Sequence, residues 1–211
     1  LPVAVGQRHV HGEIDAGPAG TRLVGTQKVF TNGSLQTTSQ QLDVAISGNG
    51  FLQVRRPNGD AAFTRAGQLQ IDANGTLTNA QGLALVPQIT VPNNATAITI
   101  AENGTVSATV PGQSAPTEIG ALTLTGFVNP AGLLALGENL FAETGASGAP
   151  TEGRPGDGAL GKLKQGALEG SNVQVVEEMV DMIAAQRTYE MNTKVLSAAD
   201  NMLQYLAQAA R

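Results

Sequence analysis

Between Gly33 and Ala142 apolar residues come in short runs, mostly with a two-residue rhythm, separated by stretches that carry Gly, Pro, Asn or Asp. Leu52–Arg55, Ala62–Arg65, Leu69–Ile71, Thr76–Thr78, Ile98–Ile100 and Thr105–Thr109 are such runs. A period of two places successive side chains on opposite faces of a strand, so these segments are predicted strands. Asn-Gly punctuates the region at 32–33, 49–50, 58–59, 74–75 and 103–104. That dipeptide readily supplies the positive φ angles of a type I′ turn, and the last three pairs stand between strand-like runs, where they predict hairpins. Ile71-Asp72-Ala73-Asn74-Gly75-Thr76-Leu77 parallels Ile100-Ala101-Glu102-Asn103-Gly104-Thr105-Val106, one hairpin chemistry used twice. No third copy continues the spacing, so a solenoid is not indicated.

Beyond Gly170 the rhythm changes. Every Gly and Pro of the chain lies at or before that residue, and 171–211 is rich in Ala, Glu, Gln, Met and Leu. One long helix is predicted from Ser171, with Ser171 as N-cap, Gln174 completing a capping box, and Glu177, Glu178 and Asp181 near the positive end of the macrodipole. To Ala207 it would run about 55 Å. At about 100° per residue, one apolar row collects Val173, Val176, Val180, Ile183, Met191, Val195, Ala198, Met202 and Leu206, with Arg187 laying its aliphatic stem along the seam. A second row, Val175, Met182, Tyr189, Leu196 and Leu203, lies on nearly the opposite face. A helix covering the edge of one domain needs a single stripe. Two opposed stripes, separated by polar strips, predict neighbours on two sides. The rest of the chain offers no second helix, so those neighbours are expected from a missing segment or from other copies.

The reading is therefore a mainly β protein with one long C-terminal α-helix: an extended arm (1–32), an antiparallel, hairpin-rich β domain (33–142), a Gly- and Pro-rich return linker (143–170) and the helix (171–211). With seven aromatics, 26 Gly and 10 Pro, its core must come mainly from Val, Ile, Leu and Ala. A net charge of −5 without a Lys or Arg cluster argues against nucleic acid and anionic membrane surfaces. No stretch of about 18 apolar residues occurs. The absence of Cys suits an oxidising compartment, and the start at Leu1 suits a fragment lacking its N-terminus.

Chemistry is hard to find. His9 and His11, the only histidines, form a His-x-His pair that no Cys or carboxylate pair completes as a metal site. His- or Cys-based triads lack their parts. Gly48-Asn49-Gly50 lacks the further glycine and helix of a dinucleotide loop. No catalytic, cofactor or metal residue is assigned, and no small-molecule substrate is expected.

Three stretches carry a resemblance. The first runs from Gly33-Ser34-Leu35-Gln36-Thr37-Thr38 to Leu42-Asp43-Val44-Ala45-Ile46-Ser47-Gly48-Asn49-Gly50-Phe51-Leu52-Gln53-Val54. The second is Phe63-Thr64-Arg65-Ala66-Gly67, continuing to Ile71–Leu77. The third is Leu168-Glu169-Gly170-Ser171-Asn172-Val173, then Glu177–Val180 and Gln186–Asn192. Together, over most of residues 25–205, they resemble the flagellar basal-body rod protein family. Leu42, Asp43, Ala45, Ile46, Gly48, Gly50, Phe51, Ser171 and Asn172 are the motif positions. Val86–Pro92 and Gly137–Phe141 are most similar to the distal-rod members. The proximal rod paralogue or another hook or rod axial protein is the alternative.

The resemblance implies a non-enzymatic subunit that polymerises into a helical tube, a drive shaft that transmits torque to the hook and conducts exported subunits. Its partners would be copies of itself, other rod proteins, hook protein and the surrounding P-ring and L-ring proteins. It would sit in the periplasm-spanning rod of the basal body, exported by a type III apparatus without a cleaved signal. The family's N-terminal helix, which packs on the C-terminal one, is absent from this chain. Outside the family, a surface adhesin with β-head and helical stalk would show one 3.5-residue seam, a carbohydrate-binding module exposed aromatics, and a wall enzyme paired acids or metal ligands.

Overall fold

The computed structural model describes residues 8–10, 14–17, 20–23, 27–113, 115–173 and 175–209. The chain divides into two units, Leu1–Asn172 and Val173–Arg211.

The first unit is built of short strands. It begins with β1 (Arg8–Val10), β2 (Ile14–Gly17), β3 (Gly20–Leu23) and β4 (Gln27–Val29), where β1 pairs antiparallel with β4 and β2 with β3. There follow β5 (Leu35–Thr37), β6 (Val44–Ser47), β7 (Leu52–Arg55), β8 (Ala61–Thr64), β9 (Leu69–Ile71), β10 (Leu77–Asn79) and β11 (Leu85–Val86). Next come β12 (Ala97–Ile100), β13 (Thr105–Thr109), β14 (Thr117–Ala121), β15 (Leu124–Gly126), β16 (Leu134–Gly137) and β17 (Leu140–Ala142). The last are β18 (Thr151–Gly153), β19 (Lys162–Gln165) and β20 (Ala167–Glu169). A five-stranded sheet has the order β11-β7-β8-β17-β16 and a three-stranded sheet β12-β13-β14, while β9–β10, β15–β18, β6–β19 and β5–β20 form two-stranded ribbons. The mainly β, antiparallel fold with one long helix is as the sequence predicts.

Hairpins form at all three predicted pairs: β7–β8, β9–β10 and β12–β13. Their turns differ from the predicted type I′. Of each Asn-Gly pair only the glycine takes positive φ, +91° at Gly59, +80° at Gly75 and +88° at Gly104. Its N–H donates to the carbonyl three residues back, Arg56, Asp72 or Ala101, a turn followed by a left-handed glycine rather than a two-residue loop. Asparagine serves through its side chain instead: Asn58 Oδ1 accepts from the Asp60 N–H and Asn103 Oδ1 from the Thr105 N–H. Asn79–Leu83 repeats the device around Gly82, where Gln81-Gly82 carries no Asn-Gly signature. The two-residue loop with both positions at positive φ occurs at Glu138-Asn139, between β16 and β17. The pairs at 32–33 and 49–50 close no hairpin, because β4, β5, β6 and β7 each pair elsewhere.

Two apolar clusters hold the unit. The larger gathers aliphatic residues such as Ile46, Leu52, Leu77, Val106, Leu124 and Leu163. The smaller collects all five phenylalanines, with Phe51, Phe63 and Phe141 buried and Phe30 and Phe127 packed on them. Their rings meet edge to face at centroid distances from 4.8 to 6.0 Å, a geometry that adds about 0.5–1.5 kcal/mol per pair beyond burial. Gln165 ties the sheets together: its Nε2 donates to the Ile98 and Gln41 carbonyls, and its Oε1 accepts from the Ile100 N–H.

Two further expectations are corrected. The segment expected to be a return linker, 143–170, supplies β18, β19 and β20, which pair with β15, β6 and β5. Its glycines mimic a linker's composition because strands of three or four residues alternate with glycines pressed on neighbouring backbone, as Gly161 is on Ser47 and Gly48. The helix α1 spans Val175–Ala209 without a break, starting four residues later than predicted. Ser171–Val173 are not helical, because Gly170 and Asn172 are held by contacts to the start of the β domain. The capping-box partner Gln174 lies outside the described residues, as do His11 and much of the predicted arm; His9 sits in β1 opposite Lys28.

Candidate assembly surface and buried junction

Along α1 the predicted rows are laid out on one continuous helix. Of the first row, Val176, Val180, Ile183, Met191, Val195 and Met202 are 50–75 % exposed. Of the second, Met182, Tyr189 and Leu196 are 61–72 % exposed. Arg187 is exposed on the seam of the first row, Val173 precedes the helix, and Val175 and Leu203 occupy helical positions. Thr188 Oγ1 donates to the Ala184 carbonyl and Ser197 Oγ to the Thr193 carbonyl, so these polar residues satisfy themselves within the helix. Fully burying one large apolar side chain is worth about 1.5–3 kcal/mol. Nine such residues are exposed on opposed faces of this helix.

The second feature lies within the β unit. Arg65 and Glu169 are both 5 % exposed. Arg65 Nε donates to Glu169 Oε2 at 3.0 Å, and one terminal nitrogen donates to Oε1 at 3.1 Å, a bidentate pair. The guanidinium also donates to the Gly50 carbonyl, the Gly48 carbonyl and Asn32 Oδ1 at 3.0, 3.0 and 3.2 Å. Glu169 Oε1 accepts once more, from the Gly33 N–H at 3.0 Å. Beside it the Gly170 N–H donates to the Ser34 carbonyl, and a side chain at Gly33 would collide with the Gly170 carbonyl. Asn172 Nδ2 donates to Thr31 Oγ1 at 3.0 Å. The network thus joins the stretch by which the chain enters the β domain (31–37) to the one by which it leaves (166–172), and both to the 48–50 loop. A buried ion pair this well satisfied costs about 3–5 kcal/mol to break by deleting one partner.

This junction brings together residues from all three resembling stretches: Gly48 and Gly50 from the first, Arg65 from the second, Glu169 and Asn172 from the third. Ala45, Ile46 and Phe51 serve the core, Asp43 is buried and Leu42 packs at the core's edge. Ser171 is exposed.

Residues 45–108 match the family model of the flagellar hook protein FlgE/F/G D1 domain, and residues 164–209 that of the flagellar basal body rod FlgEFG protein C-terminal region. A protein of Buchnera aphidicola named flagellar basal-body rod protein FlgG is 49 % identical over 90 % of this chain and 73 % of its own length. The FlgG of Borreliella burgdorferi is 45 % identical over 87 % of this chain and 70 % of its own. The FlgF of Escherichia coli is 40 % identical over 82 % of this chain and 69 % of its own. The chain belongs to the flagellar basal-body rod protein family. Members of this rod family are structural subunits, not enzymes. Among the described residues, no group of three or more His, Asp or Glu side chains could hold a metal.

Neither periodicity nor spacing in the sequence singles out the Arg65–Glu169 pair. Its signal was there: each is a lone charge set in an otherwise uncharged, strand-like motif, Phe-Thr-Arg-Ala-Gly and Ala-Leu-Glu-Gly. Nothing in the sequence paired residues 104 positions apart.

Proposed function

We propose that this chain is the distal-rod subunit of a flagellar basal body, polymerising into the helical tube that carries torque to the hook and passes exported subunits. The observation that carries this reading is α1, whose two opposed apolar rows are exposed and need neighbours on both sides. Repeated heterologous contacts of that kind grow into a helical filament when the rotation does not close. Val173, Val175, Val176, Val180, Met182, Ile183, Arg187, Tyr189, Met191, Val195, Leu196, Met202 and Leu203 form the subunit interface. The assembled subunits have as neighbours other rod proteins, the hook protein and the P-ring and L-ring proteins of the periplasm-spanning assembly. Export proceeds without a cleaved signal.

Likeness to proteins named FlgG favours the distal position, and 40 % identity to a protein named FlgF keeps the proximal rod as the second reading. Complementation separates them. The full-length protein is expected to restore motility to a strain lacking its distal rod subunit and not to one lacking the proximal subunit. The reverse pattern selects the second reading, and failure in both strains, with normal expression and export, removes the rod assignment.

A further inference from the structure

The five Asn-Gly pairs also bear on covalent ageing. Asn-Gly is the dipeptide in which the glycine nitrogen can attack the asparagine Cγ. A C–N bond forms, the side-chain nitrogen leaves as ammonia, and water then opens the succinimide to aspartate or isoaspartate. The reaction needs an asparagine side chain able to turn and a glycine N–H not committed elsewhere.

Four pairs are held on both counts. Gly33, Gly59, Gly75 and Gly104 donate their N–H groups to Glu169 Oε1 and to the Arg56, Asp72 and Ala101 carbonyls, at 2.9–3.0 Å. Their asparagines are engaged as well. Asn32 Oδ1 accepts from Arg65, Asn58 Nδ2 donates to Asp60, Asn74 Nδ2 donates to Asp72 and Asn103 Oδ1 accepts from the Thr105 N–H. Asn49-Gly50 differs in both respects. Among the described residues, neither the Asn49 side chain nor the Gly50 N–H makes a hydrogen bond, and Asn49 is exposed. The Asn49 carbonyl, in the same peptide unit as that N–H, accepts from the Gly161 N–H at 2.7 Å. This bond draws electron density from the unit and eases loss of the amide proton.

We propose that Asn49 is the modification site at which the folded chain deamidates. Its position makes the change consequential. Asn49 lies between the Gly48 and Gly50 carbonyls that hold Arg65, and the isoaspartyl product lengthens the main chain between them by one methylene.

The test is a time course of the folded chain in mildly alkaline buffer, followed by peptide mapping and isoaspartyl methyltransferase labelling, beside the same chain in denaturant. In the folded chain Asn49 is expected to convert about five-fold faster than the asparagine of each of the other four Asn-Gly pairs, the bias of one backbone hydrogen bond. In denaturant the five should convert at similar rates. Asn49→Gln should remove the early labelling. The proposal is overturned if another pair leads in the folded chain, if the folded chain shows no conversion once the denatured chain has reacted, or if labelling persists in Asn49→Gln.

Discussion

The β domain and the helix use their apolar residues in opposite ways. In the β domain Phe63, Phe141 and Ile46 are about 1 % exposed, whereas on α1 Val180, Ile183 and Leu196 are 58, 50 and 66 % exposed. The first region satisfies its own hydrophobic surface and locks its two connections with a buried ion pair. The second is about 50 Å of helix with its large apolar side chains exposed, although most helical stability in proteins comes from packing an apolar face. One sequence therefore buries its apolar residues in one part and displays them in the other.

That contrast can be broken first at the junction. Arg65→Met leaves Glu169 buried and uncompensated, and is expected to destabilise the β domain by about 3–5 kcal/mol in urea unfolding followed by β-strand circular dichroism. Phe51→Ala, at the centre of the aromatic cluster, should cost a similar or slightly smaller amount, about 3–4 kcal/mol. An unchanged midpoint in either would mean that the domain's core lies elsewhere. Gly75→Ala should cost about 1–2 kcal/mol, because its φ of +80° and its closeness to the Val91 carbonyl both oppose a side chain.

The smallest effect is at Asp72. Donation from the Thr76 N–H, partly opposed by desolvation and supported by donation from Asn74, holds its carboxyl below the usual carboxylate range. A depressed folded-state value gives stability that is present above the unfolded value, about 3.9, and lost as pH falls through the folded one. Asp72→Asn should flatten the acid limb of β-domain stability slightly and leave neutral pH almost unchanged. A variant that loses stability equally at all pH values would show that the charge contributes nothing.

Much of this contrast was legible in the sequence. Asn-Gly between period-two runs located three hairpins, and the absence of Gly and Pro after Gly170 located the helix. What escaped was what depends on distant partners. The turn type is not legible in the dipeptide alone, which does not reveal that Asp72 or Asn103 caps its own loop. Strands β18–β20 escaped because glycines that allow close backbone contact look, in composition, like a linker. The Arg65–Glu169 junction escaped because no periodicity joins residues so far apart. The helix start moved because Asn172 bonds to Thr31, a contact invisible to capping rules.

If both rows of α1 are subunit interfaces, as proposed, single substitutions in either row of the full-length protein should block rod assembly. Val180→Asp and Leu196→Asp should each abolish rods seen by electron microscopy of purified basal bodies, since each would bury an uncompensated charge at a cost of several kcal/mol. Thr188→Asp, on a polar strip, should assemble. All three should keep the wild-type β-strand signal. Normal rods from Leu196→Asp beside none from Val180→Asp would contradict the account, leaving one row as an interface and the helix as a one-sided partner.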